Sequence, residues 1–467
     1  MDASYLHLPT EVTSALEALE QQIEREATRN RPADLELTEG RMVASLATVG
    51  RAVIKHILSK EDPVCNEITI NGTQYKRVTG DQGTYLSMFG KVTVNRGRYR
   101  SKRNAKTICP MEQRTGIVEG FWTPKAAKVG ALAIVDMTPQ HASRFFAELH
   151  MMRPSKASLD RLPKALSRRW EAQRSSFEQR MREEQSIPPE AVTVAVSLDG
   201  VMVPMRIGDK KQSKARTRAQ GRPDKGPVGY REVGCGTLSF YDVDAHRLCT
   251  RRFGRMPEPK KKTLKRQLRG ELDYVLRQRP ELKVVVVADG AEDNWSFLDS
   301  LPHDAAVVDF YHAAEHLKRA LDTLCGATSV KTQQRFTRLR QKLRDQPDGA
   351  ERVIRSLNRA KSKVKIKSKS AQYHSSTRYF KTHKKRMRYA TLQAQNLPIG
   401  SGVIEGTCKS LASERLKRAG MRWDYEGGQA ILTLRALQRS DRFDAAWQLL
   451  RGTYQADVVE PHQQLMA

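Results

Sequence analysis

The chain has 467 residues, 39% of them apolar, which is more than one compact core usually holds and leads to an expectation of two to four domains. Lys and Arg total 82 against 52 Asp and Glu, a formal charge of +30 that points to a polyanionic partner, nucleic acid first. No stretch reads as the roughly 18 to 20 uninterrupted apolar residues that span a bilayer, and the start MDASYLHLPTEV lacks the pattern of a secretion signal, so neither a membrane nor a secreted protein is expected.

Residues 1–65 carry two helical patterns, with Val12, Leu16, Leu19 and Ile23 on one stripe and Met42, Leu46, Val49, Val53 and Ile57 on another. They read as a small helical cap. Residues 66–110 change period: ITI, the turn pair Asn71-Gly72, then YKRV and KVTVNRGRYR alternate as antiparallel strands do. In residues 111–188, Thr123-Pro124, Thr138-Pro139 and Pro154-Ser155 open three helical runs. This is either a helix-turn-helix, with Lys156, Ser158, Arg161 and Lys164 of the third helix facing DNA, or a plain bundle with a solvated basic face. A charged helix from Ser167 to Gln185 then runs into Pro188-Pro189, a candidate boundary.

Residues 189–312 open with AVTVAVSLDG, read as a strand ending at its Asp-Gly, and VMVPMRI, read as its hairpin partner. Further strands are GCGTLSFYDVD, HRLCTRRFG, the apolar run ELKVVVVADG of a strand buried on both faces, and AAVVDFYH. Helical patterns between them predict a mixed α/β sheet. Residues 313–395 are helical and basic: positions 331–390 hold 20 Lys or Arg and three acids, a net of +17. The run SKVKIKSKS reads as a loop. Residues 396–445 return to helix, and 446–467 form a tail. Lys210, Lys211, Lys214, Lys361, Lys363, Lys365, Lys384, Lys385 and Arg386 stand in basic clusters suited to phosphate contact, although a single charge run is most often a solvated face.

The chemistry rests on carboxylates. Asp199 and Asp289 each follow an apolar run and precede a glycine, and acids at strand ends of an open sheet project into the ligand crevice. An isolated Asp-Gly is usually only a turn. Glu405, in GSGVIEG at a helix start, is the candidate third acid, or simply a carboxylate at the positive end of the helix. Three acids in a basic protein suggest Mg²⁺ or Mn²⁺, which prefer oxygen ligands, and two such ions could activate a nucleophile and stabilise the departing oxygen. The cysteines Cys65, Cys109, Cys235, Cys249, Cys325 and Cys408 form no C-x-x-C pair, so neither a zinc ribbon nor a disulfide scaffold is indicated.

The texts SLDG, VVVVADGAEDNW, VVDFYHAAEHL and PIGSGVIEGTCKSLASERLKRAGMRW, with a helical insertion before the last, resemble the DDE transposases with a ribonuclease-H-like fold. Within these the chain is similar to bacterial insertion-sequence transposases of the ISKra type, related to Mutator-like elements, over residues 110–440. The resemblance implies catalytic acids Asp199, Asp289 and Glu405 holding two divalent ions. It also implies an acid-x-x-His motif, Asp309 to His312, with His312 near the scissile phosphate or merely bonded to Asp309. It further implies binding of double-stranded DNA at terminal inverted repeats and target, a homodimer or higher assembly on DNA, and a place in the bacterial cytoplasm with the nucleoid. A catalytically inactive DNA-binding derivative and a structure-selective nuclease of the same fold are the alternatives. The insertion lacks the Trp that relatives use for base stacking and offers Tyr373, Tyr379, Phe380 and Tyr389.

Overall fold

The computed structural model describes residues 8–30, 32, 34–102, 104–206, 229–360 and 367–461. Lys210, Lys211, Lys214, Lys361, Lys363 and Lys365 lie outside them. The chain divides into two units, Met1–Phe177 with Phe443–Ala467, and Glu178–Arg442.

The first unit starts with an antiparallel pair of helices, α1 (Thr10–Ala27) and α2 (Leu35–Lys60), the second entered at Asp34, whose side chain accepts from the Leu37 N–H at 3.1 Å. Strands β1 (Glu67–Ile70), β2 (Thr73–Ser87), β3 (Gly90–Ser101) and β4 (Asn104–Ile108) follow. Asn71 (φ 48°) and Gly72 (φ 73°) both take left-handed backbone, as a two-residue hairpin joining β1 and β2 requires. The chain returns at its far end, where β10 (Val458–Val459) pairs antiparallel with β1. Helices α3 (Pro110–Thr115), α4 (Pro124–Asp136) and α5 (Pro139–Glu148) each carry proline in the first turn, where no N–H is needed.

Where the sequence suggests two helices meeting near Leu166, there is one, α6 (Lys156–Glu184), running through Pro163. Leu159, Leu162, Leu166 and Trp170 continue one buried stripe at helical spacing, and that burial outweighs the hydrogen bond lost at the proline. Ser158 is buried with its hydroxyl 2.9 Å from that of Ser155, so it does not face a ligand.

The second unit is built on a five-stranded sheet of β5 (Thr193–Pro204), β6 (Tyr230–Tyr241), β7 (Arg247–Arg255), β8 (Lys283–Ala288) and β9 (Ala305–Val308). Their order is β7-β6-β5-β8-β9, antiparallel among the first three and parallel from β5 to β8 to β9. This is the ribonuclease-H-like arrangement. Strand β5 does not end at Asp199-Gly200: it pairs without interruption with β6 from Thr193↔Tyr241 to Pro204↔Tyr230, so VMVP continues the strand and is not its hairpin partner. Val284 to Val287 of β8 are all buried, as a strand covered on both faces requires.

Helix α7 (Lys262–Gln278) crosses from β7 to β8 with Leu264, Leu268, Leu272 and Val275 buried, and α8 (Glu292–Leu298) links β8 to β9. The insertion supplies α9 (Phe310–Cys325), α10 (Val330–Asp345), α11 (Gly349–Ala360), α12 (Lys367–His383) and α13 (Tyr389–Ala394). The C-terminal part of the expected SKVKIKSKS loop is thus the start of α12. Leu343, Val353, Leu357 and Phe380 join the same core as the sheet. Next come α14 (Gly402–Thr407), continued by π-helical turns at Cys408–Ser413, and α15 (Tyr425–Gln438). Helix α16 (Phe443–Gly452) belongs to the first unit.

A buried ionic cluster braces α7 against β7. Glu271 is 1% exposed and accepts from Arg251 at 2.9 Å and from Arg442. Burial alone would raise its carboxyl, but the Arg442 and Arg251 charges outweigh it and hold Glu271 below its ordinary 4.5. A carboxyl lowered in the fold stabilises above its unfolded value and loses that contribution as pH falls. Replacing Glu271→Gln leaves two guanidinium groups buried without their acid and is expected to lower unfolding stability by about 3 to 5 kcal/mol at pH 7. Urea unfolding at pH 7 and pH 4 checks this: the deficit of the variant should shrink at the lower pH.

Candidate active site

The parallel register of β5 with β8 sets the site. Ser197 pairs with Val287, and two residues further on Asp199, in β5, and Asp289, just past β8, stand side by side with their side chains on the same face. Both are half-buried. Asp309 extends the row past β9, its N–H donating to the Ala288 carbonyl at 2.9 Å. Burial raises the Asp199 carboxyl above its ordinary 3.8; the Gly200 N–H opposes this, and the charge of Asp289 adds to it. Two acids that repel each other in one place favour a cation between them.

Asp289 is fixed by its own turn. Its Oδ1 accepts from the Ala291 N–H at 3.0 Å, and its carbonyl accepts from Trp295 Nε1 at 2.6 Å. Asn294, buried on α8, donates to the Leu198 carbonyl at 3.1 Å and accepts from Lys261 Nζ at 3.2 Å. Lys261 also pairs with Glu232 at 3.0 Å, and its charge reaches Asp199. Lys260 and Lys261 both hold left-handed backbone (φ 54° and 52°), a conformation that costs energy in a side-chain-bearing residue and recurs at functional sites.

Glu405 stands exposed in the first turn of α14, its Oε1 accepting from Ser401 Oγ at 2.8 Å and lying 3.6 Å from His312 Nδ1. The connection back to the sheet is Asp309, fully buried, which accepts from the His312 N–H at 2.6 Å and from the Ser401 N–H. His312 Nδ1 lies 3.3 Å from the same carboxylate. That carboxylate raises His312 from 6.5 to about 9 against the effect of burial, and the charges of Glu405 and Asp289 add to the rise. His312 is therefore an imidazolium at neutral pH.

The other end of this helix reaches Asp199. Cys408, one turn beyond Glu405, donates its thiol to Asp199 Oδ2 at 3.6 Å. Cys235, burial and Asp199 together push the Cys408 thiol far up, so it stays a neutral donor. The π-helical turns that begin there are braced by Arg435, whose Nε donates to the Ser410 carbonyl at 3.0 Å. Asp199, Asp289, Glu405 and His312 are thus brought to one edge of the sheet. The ligand atoms of Asp309, His312 and Glu405 lie within 4.8 Å of one another, and Asp309, which also accepts two backbone N–H groups, ties this trio to the end of β9.

Sequence reasoning passed over several of these residues. Ser401 and Cys408 lie inside the GSGVIEGTC text, but their partners are distant in sequence. The rings offered by the insertion are committed elsewhere: Phe380 is buried, and Tyr373 and Tyr389 are buried with their hydroxyls donated to the Leu357 and Val308 carbonyls. Tyr379 stacks on His316 with 3.8 Å between centroids, and burial lowers His316 to about 4, leaving it neutral. Tyr311, 59% exposed and packed beside Gly400, is an exposed aromatic ring at the site edge. Trp295 walls the site, and Trp423 pairs alongside the end of β5, its backbone N–H donating to the Pro204 carbonyl at 3.1 Å.

Of the expected phosphate contacts, Lys156, Arg161, Lys384 and Lys385 are exposed, and Lys164 pairs with Asp160 at 2.7 Å. Arg386 is committed to the protein, pairing with Asp299 at 2.6 Å and lying 4.1 Å over the Trp295 ring.

No family model and no curated protein matches the chain. Among solved structures it is similar to the Drosophila P element transposase strand transfer complex, with a TM-score of 0.26 and 11% identity over 71% of this chain and 81% of that one. A likeness this distant carries no functional weight.

Gly290 is required by packing, because a Cβ there would meet the Tyr379 ring at 2.2 Å. Gly290→Ala is expected to cost about 1 to 3 kcal/mol, the usual toll of overpacking. Thermal unfolding measures it, and Tyr379→Leu in the same chain should recover part of the loss.

Proposed function

We propose that this chain is a metal-dependent DNA-processing enzyme of the DDE transposase kind, one that frees 3′-hydroxyl ends of a mobile element and joins them to target DNA. The observation that supports this reading best is that Asp199 and Asp289 stand side by side, in β5 and just past β8 of a ribonuclease-H-like sheet, with the Glu405 helix linked to them through Cys408 and His312, in a chain of charge +30. The residues suit Mg²⁺ or Mn²⁺: Asp199 and Asp289 are oxygen donors on neighbouring strands whose repulsion a cation would relieve, and Glu405 offers a third carboxylate from the helix tied to Asp199 through Cys408. Two such ions would activate a water or 3′-hydroxyl and stabilise the departing oxygen.

The protein's own contribution is positioning and charge. Asp309 holds His312 and the turn before Glu405 in one arrangement, so the third acid is oriented before DNA arrives. Protonated His312 and Lys261 set positive charge beside the acids, where a phosphodiester would otherwise be repelled. Exposed Lys384 and Lys385 in the second unit, and Lys156 and Arg161 in the first, are suited to backbone phosphates without sequence readout.

Asp199→Asn, Asp289→Asn and Glu405→Gln should each reduce Mg²⁺-dependent nicking of supercoiled plasmid by more than about 100-fold while leaving DNA affinity unchanged. Near-normal nicking by all three variants would overturn the reading. Joining of pre-cut ends to a target separates a transposase from a nuclease that only hydrolyses.

A further inference from the structure

Helix α2 has an apolar face that the described residues leave largely exposed. At 100° per residue, Leu35, Met42, Leu46, Val49, Val53 and Ile57 fall within an arc of about 80°. Leu35 is 70% exposed, Leu46 51%, Val53 38% and Ile57 46%. The helix makes its contacts within the unit from other faces. Ile54 and Leu58 pack into the core with Tyr85, Val92 and Val94 of the sheet, while Arg41 and Lys55 reach Glu26 and Glu11 of α1 at 3.1 and 2.5 Å. A continuous apolar stripe outside those contacts marks an interaction surface.

The spacing of the stripe is that of a coiled-coil seam, alternating steps of four and three from Met42 to Val53. Its charges identify the occupant. Glu39 and Lys60 fall on the seam at opposite ends of the helix, with His56 beside it. Parallel pairing of two copies would set Glu39 against Glu39 and Lys60 against Lys60. Antiparallel pairing about a two-fold axis between Ala47 and Thr48 instead sets Met42 against the partner's Val53, Leu46 against the partner's Val49 and Glu39 against the partner's His56. It also brings Lys60 to the partner's Leu35, beside the acid at position 36. Such an interface is the same patch on both subunits and closes on itself.

By length and composition α2 is apolar enough to cross a bilayer, against the expectation from sequence. A spanning helix, however, would have to give up α1 and the sheet and bury Arg41, Arg51 and Lys55 in lipid.

We propose that α2 is a homodimerisation helix, its Leu35–Ile57 stripe pairing antiparallel with the same stripe of a second copy of this chain. The surface belongs to the first unit alone and does not depend on the catalytic reading.

Light scattering on the full chain at about 10 µM without DNA tests it. The expected result is the mass of two chains, falling to one chain for the Leu46→Glu, Val53→Glu double variant with an unchanged circular dichroism spectrum. Glu39→Lys should weaken association about tenfold, and adding His56→Glu should restore it, because in the antiparallel register these positions face each other. A single-chain mass for the parent protein overturns the proposal. So does a two-chain mass retained by the double variant, or capture of monomeric protein by anionic phospholipid vesicles. A Glu39→Lys, His56→Glu chain that stays weak overturns the antiparallel register.

Discussion

Parallel pairing of β5 with β8 is the constraint on which the site depends. Once Ser197 is opposite Val287, two aspartates are forced to share a half-buried edge, and that repulsion is a cost the fold retains. The neighbouring features respond to it. A neutral thiol from Cys408 donates to Asp199, Lys261 lends charge through a strained backbone, and Trp295 closes the wall behind Asp289. None of these removes the excess negative charge, which is the condition under which hard cations bind oxygen ligands tightly.

The sheet was legible wherever burial leaves a plain pattern. The run VVVV can be little other than a strand covered on both faces, and Asn71-Gly72 specifies its hairpin. The path of β5 was not legible, because Asp-Gly in isolation is turn chemistry and only the pairing with β6 carries the strand through it. The expected boundary near Leu166 gives way for a similar reason: Leu159, Leu162, Leu166 and Trp170 form one buried stripe that carries the helix across it. Glu405 could not be told from an ordinary first-turn acid by periodicity, and its place follows from its own contact with His312, some ninety positions away, and from that of Cys408 with Asp199, some two hundred away. The stripe on α2 is the reverse case. Sequence reads such a face as turned to a core, and among the described residues it stays largely exposed.

The net charge also needs a spatial reading. Arg251, Arg415, Arg435 and Arg442 are buried, and Arg386 lies against Trp295 and Asp299. These guanidinium groups work as structural ties, with planar donors that satisfy carbonyls and carboxylates inside the protein. Part of the formula charge is therefore held inside the fold and is not offered to a polyanion.

Asp309 does more than orient its neighbours. By accepting from the amides of both His312 and Ser401, it fastens together the two ends of the long helical excursion that separates them, and Phe310 donates to the Ile399 carbonyl at 3.0 Å beside it. A segment whose entry and exit are stapled at one point can lengthen, shorten or be exchanged with little entropic penalty and without disturbing the staple. The architecture thus separates what must stay fixed from what is free to diversify: the outer turns of the excursion can be rebuilt while the helices that pack on the sheet, and the edge they spring from, keep their geometry.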